Sequence, residues 1–135
     1  MADLNPSARQ VLLDLADRCE REEPSMELDG AIGYAVDATP KAKRVYKRGH
    51  YIGNKPVLLR IEAVWLPYTS SLDAAVTLEP ADAQEVVVRK YPNGRMYVRI
   101  TTAAGKVAYC EGLDRPIGEP MARLAASLRS RAEAL

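Results

Sequence analysis

One histidine, two cysteines and no apolar run of membrane-spanning length occur in this chain of 135 residues, and each shortage removes a class of function. Two cysteines far apart in sequence, Cys19 and Cys110, with a single histidine cannot supply a zinc site of the usual spacing. They read as reduced, buried thiols, Cys19 on the apolar face of a helix and Cys110 within a strand. No metal and no cofactor is expected. A histidine-assisted nucleophile would have to use His50, which lies among cations that disfavour its protonated form. Nor is there a G-x-S-x-G, a Walker loop, a G-x-G-x-x-G or an H-E-x-x-H. The sequence therefore points away from an enzyme. The first ten residues lack the basic and apolar regions of a signal peptide, which with the absence of a membrane span predicts a cytoplasmic protein.

Net charge is also missing. The 19 basic and 18 acidic residues leave +1, too little for a general nucleic-acid binder. The distribution is uneven, however. No acidic residue lies between Asp37 and Glu62, whereas Lys41, Lys43, Arg44, Lys47, Arg48, Lys55 and Arg60 all do, so the rest of the chain is net −6. This basic segment, about 38–61, is an insert in a single domain of 1–135. It is either a strand hairpin or a mobile loop.

What is present is regular alternation of helical and strand patterns. Asn5-Pro6 reads as a cap and first helical residue, and Ala8, Val11, Leu12, Leu15 and Cys19 recur at helical spacing to about Glu22. A second helix after Pro24-Ser25 carries Leu28, Ile32, Ala35 and Val36. Its Gly30 and Gly33 weaken it by up to about 1 kcal/mol each relative to alanine, which suggests close packing at that face. "KPVLLRIEAVW" places Val57, Leu59, Ile61, Ala63 and Trp65 on one face of a half-buried strand, with Leu58, Arg60, Glu62 and Val64 on the other. Gly53-Asn54 marks a turn before it, and Trp65 reads as core or interface. A meander over Gln84–Glu111 turns at Pro92-Asn93-Gly94 and Ala104-Gly105. Pro120 opens a last helix with Met121, Leu124, Ala125, Leu128, Ala132 and Leu135 in one stripe, opposite arginines. The order predicts an α+β protein in which N-terminal and C-terminal helices cover an antiparallel sheet containing a three-stranded meander.

Leu66–Pro80, "LPYTSSLDAAVTLEP", concentrates hydroxyls at the start of a short helix. With Ser70 as N-cap and Asp73 returning the bond, a helix Ser71–Leu78 would carry a capping box. That leaves Tyr68, Thr69 and Ser71 without an assigned role, and they would suit an anion at the helix start. Arg44, Tyr46, Lys47, Arg48 and His50 offer cations and stacking surfaces of the same chemical preference. These eight residues form the candidate ligand site.

Three segments together, "LADRCEREEPSMELDGAI" at 15–32, "PYTSSLDAAVTLEP" at 67–80 and "PMARLAASLRSRA" at 120–132, resemble the phage ABA sandwich domain family of small bacteriophage and prophage proteins. The resemblance implies an α/β/α-type sandwich and no activity. Members often carry tryptophans after the middle motif, whereas Trp65 precedes it. The combined expectation is a non-catalytic phage accessory protein in the cytoplasm of an infected bacterium. It would form a homo-oligomer and sequester a small anionic nucleotide-like ligand, a host immune signalling nucleotide among the possibilities, to counter host defence. The alternatives are a protein-interaction module that engages a host or phage protein through the basic segment and, third, nonspecific DNA binding.

Overall fold

Ser7, in extended conformation, accepts a hydrogen bond from the Gln10 N–H at 3.1 Å and starts the first helix, α1 (Ala8–Arg21). The cap is therefore Ser7 and not Asn5, because a serine hydroxyl one turn before an apolar stripe competes well for the free N–H groups. Asn5 and Pro6 themselves lie outside the residues that the computed structural model describes, 7–110 and 116–135. Leu12, Leu15, Ala16 and Cys19 are the buried stripe of α1. Ser25 caps α2 (Met26–Ala35) through the Leu28 N–H at 3.0 Å. That helix ends with Asp37 in the left-handed region at φ 59°, while the Ala38 N–H reaches back to the Gly33 carbonyl at 2.9 Å.

The basic segment is a hairpin. β1 (Lys41–Ile52) and β2 (Lys55–Val64) pair antiparallel around Gly53-Asn54, where Gly53 has φ 64° as the first position of a tight turn demands. After a short α3 (Leu72–Val76), the meander β3 (Ala83–Lys90), β4 (Met96–Thr102) and β5 (Val107–Cys110) forms a separate sheet in the order β3-β4-β5. Glu111, the expected end of the meander, lies outside the described residues. α4 (Glu119–Glu133) closes the fold. The protein is thus α+β, four helices and two antiparallel sheets among the described residues, with the N- and C-terminal helices flanking the strands.

α4 is the centre of the core. It packs against β4 and β5, against α1 and against α3, and it admits these neighbours because alanine and serine line much of it. Ala122, Ala125, Ala126, Ser127 and Ala132 are fully covered. Its arginines act as ties. Arg123 pairs with Glu79 at 2.6 Å, and the Arg131 Nε donates to the Leu78 carbonyl at 2.9 Å. Arg129 donates to the Tyr109 carbonyl at 2.8 Å, to Asp17 at 2.9 Å and to Glu20. Burial works against the Arg129 charge, but hydrogen bonds and attraction from Glu20 and Asp17 more than offset it and raise its pKa. Leu135, assigned by spacing to the apolar stripe, lies past the end of α4 and is exposed.

One expectation fails clearly. β2 is not half-buried: Leu59 and Ile61 are exposed, and no helix or other strand packs extensively on the hairpin. The apolar period-two pattern that ordinarily signals a core face here lies on a ribbon that projects away from the core. Just past the strand, Trp65 is anchored. Its ring sits over α2, so close that a Cβ built on Gly33 would lie 2.3 Å from it and one on Gly30 3.3 Å away. The two glycines are thus the socket for the base of the ribbon, as close packing required.

Candidate functional site

The eight candidate residues fall into two groups with different roles. Tyr68 and Thr69 are buried in the body, where Thr69 holds two segments together. Its backbone N–H and its hydroxyl both donate to one Asp29 carboxylate oxygen, at 2.8 and 2.7 Å, and its hydroxyl oxygen accepts from the Ser25 N–H at 3.1 Å. A hydroxyl has one proton to give; with Asp29 taking it, Thr69 Oγ1 is committed to the fold. Burial pushes the Tyr68 phenol above its ordinary range, with Arg131 opposing and Asp29 adding to the shift.

Ser71 is also committed. It caps α3 through the Ala74 N–H at 3.3 Å. The cap therefore lies one residue later than expected, and Ser70 is exposed with no capping bond. Two turns of backbone bonding, Ser70 and Ser71 N–H to the Pro67 carbonyl, put Ser70 outside the helix entrance. The helix is only five residues long, too short to build up the dipole that would favour an anion. The hydroxyl cluster is a structural latch between α2 and α3.

Arg44, Tyr46, Lys47, Arg48 and His50 all lie exposed on β1. Their geometry follows from two irregularities in the register. Val45 pairs with Arg60 but Tyr46 with Leu58, which leaves Leu59 as an extra residue in β2. Leu58 consequently shares a face with Tyr46 and Ile61, not with Arg60 as strict alternation predicts. Pairing of Ala42 with Ala63, Arg44 with Ile61 and Tyr46 with Leu58 defines this face. It is apolar apart from Arg44, and it is open: Tyr46 is 45%, Leu58 46% and Ile61 60% exposed. The opposite face carries Lys41, Lys43, Val45, Arg60, Glu62 and Val64, with Arg60 and Glu62 paired at 2.7 Å. Farther out, Lys47–His50 bulge opposite Val57, helped by Gly49 at φ 75°. Lys41, Lys43, Arg44, Lys47, Arg48 and Lys55 have no carboxylate partner among the described residues.

Sequence reasoning missed one concavity of the body. A cleft of about 600 Å³ opens between the first turn of α1, the end of α2, residues 80–82, the β4–β5 turn and the end of α4. Its walls are mainly Ala8, Leu12, Val36, Pro80, Ala104 and Leu135. Its cations are engaged, Lys106 Nζ with the Glu133 carbonyl at 2.9 Å and Arg131 with Leu78. Its acids, Asp37 and Asp82, are exposed and have no hydrogen-bonding or ionic partner for their side chains among the described residues. The only local signal was the pair of acids just before and after apolar turns. None of the eight candidate residues lines this cleft.

Among the described residues no group of three His, Cys, Asp or Glu side chains is placed to hold a metal ion, and no helix is long and apolar enough to cross a membrane. Comparison of the chain with protein-family models, with curated proteins and with solved structures finds no match.

Proposed function

We propose that this chain is a non-catalytic protein-interaction module whose β1–β2 ribbon lies against a protein surface that is apolar at its centre and acidic at its rim. The observation that carries the reading is the ribbon face of Tyr46, Leu58 and Ile61, exposed beside six cations without carboxylate partners. Protein interfaces combine an apolar centre with a polar rim and favour tyrosine and arginine. Ligand pockets for nucleotide-sized molecules are concave, whereas the ribbon is open on both faces and the hydroxyls that would have completed a pocket hold α2 to α3. A two-stranded ribbon fits the major groove of DNA, but nucleic-acid interfaces are far more polar than this face.

A photoreactive amino acid placed at Ile61 or Leu58 in cells, with one at the exposed Val76 as control, tests the reading. The expected result is a discrete protein adduct from the ribbon positions that Arg44→Ala and Arg48→Ala diminish. Adducts that nuclease removes, or no protein adduct beyond the control, would refute it.

A further inference from the structure

Deepening the proposed function, and resting on it, we infer that the protein partner of the ribbon is a second copy of this chain, joined by reciprocal exchange of the ribbons. Charge is the first argument. The ribbon segment 38–61 holds seven cations and no acid, while the remainder of the same chain is net −6. Two copies therefore offer each other the complementary surfaces that a foreign partner would have to supply by coincidence.

Position is the second. The cleft with Asp37 and Asp82 lies at the root of the ribbon, since Asp37 ends α2 and only residues 38–40 separate it from Lys41. In a two-fold dimer with the ribbons running in opposite directions, the tip of each ribbon meets the root of the other. That tip presents Tyr51, Ile52 and Lys55, with Ile52 the more exposed of the two apolar residues. Tyr51 and Ile52 suit the apolar walls, and Lys55 suits Asp37 and Asp82. Between tip and root, the faces of Tyr46, Leu58 and Ile61 would stack on each other, with Lys41, Lys43 and Arg60 on the outer sides.

Area is the third. A ten-residue ribbon is about 34 Å long and about 10 Å wide, so one face covers roughly 340 Å². Face-to-face contact of two ribbons thus buries roughly 680 Å² counted on both partners, and a reciprocal dimer adds two tip-in-cleft contacts that bring it toward the ~1,200 Å² at which stable interfaces begin, an addition that a single ribbon on a flat surface lacks.

Sedimentation equilibrium of the purified full-length chain over a range of micromolar concentrations tests the inference. A dimer is expected. Ile61→Asp, at an exposed position outside the core centred on α4, should raise the dissociation constant at least about tenfold. Lys55→Glu and Asp37→Lys should each weaken the dimer, and the double variant should recover it. A parent that is monomeric throughout overturns the inference, as does a dimer indifferent to Ile61→Asp or to the charge exchange. The photoreactive probe keeps the two claims apart. An adduct of twice the chain mass containing only its own peptides supports both. An adduct with a different protein, together with a monomeric parent, overturns self-exchange and leaves the interaction reading standing.

Discussion

At Thr69 a single side chain joins residues forty positions apart. Its hydroxyl donates to Asp29 at 2.7 Å and accepts from Ser25, so truncation leaves a buried acceptor and a backbone donor short of partners. Thr69→Ala is expected to lower stability by about 1–3 kcal/mol, and Thr69→Ser to recover most of it; chemical denaturation measures both. Cys19 gives a second prediction. Burial chiefly, with Glu22 and Glu20 adding and Arg18 and Arg129 opposing, pushes its thiol from 9.0 up to about 12. Below pH 9 folded and unfolded chains both keep the proton and nothing is gained or lost. As pH rises from 9 toward 12 the unfolded chain releases it first, so stability falls, by up to about 1.4 kcal/mol per pH unit. Cys19→Ala should flatten that alkaline decline relative to the parent in urea titrations at successive pH values. Neither Thr69 nor Cys19 was equally legible from sequence. The burial of Cys19 follows from helical spacing, a local property. The Thr69–Asp29 bond depends on how two distant segments meet, and the same hydroxyl pattern fits a cap, a latch or an anion site until that meeting is known. Ser25, Asp29, Thr69 and Ser71 together tie the start of α2 to the segment that leads into α3.

Local physics specified the elements well where each side chain finds its partner nearby. The turn at Gly53-Asn54, the meander with Gly94 at φ 83° and Gly105 at φ 79°, and the close packing at the two glycines of α2 all follow from turn chemistry and spacing, whereas the same rules left the segment before Gly53 open between a strand and a loop. Gly33→Ala tests the socket. A Cβ would lie 2.3 Å from the Trp65 ring, so the ring must leave, at a cost of about 1–3 kcal/mol. The fluorescence of this single tryptophan should shift to longer wavelength. Gly30→Ala meets the ring at 3.3 Å, a smaller displacement that the helix preference of alanine, worth up to about 1 kcal/mol, offsets. The cap of α3 gives the complementary test: Ser71→Ala should cost about 1 kcal/mol in a denaturation experiment and Ser70→Ala close to nothing. Equal effects would show that the helix starts elsewhere. The burial of β2 was misread for a physical reason. Period two reports which residues share a face, and it cannot report whether anything covers that face within the same chain.

On the scale of the whole molecule, a close-packed body centred on α4 carries a ribbon that contributes little to its core. An isolated two-stranded ribbon is only marginally stable in water, and this one is fixed to the body chiefly through Trp65. Its exposed apolar face and uncompensated cations are the ground for the proposed interface, and the cleft with Asp37 and Asp82 at its root is the ground for proposing a second copy as the occupant. Hydrogen–deuterium exchange of the full chain as a function of its concentration measures this division directly. In dilute solution the amides of β1 and β2 should exchange far faster than those of β4 and α4, which are buried in the core. On concentration, added protection should appear in the ribbon and around Asp37 and Asp82, with β4 unchanged. Ribbon amides already as protected as β4 in dilute solution, and insensitive to concentration, would contradict the account.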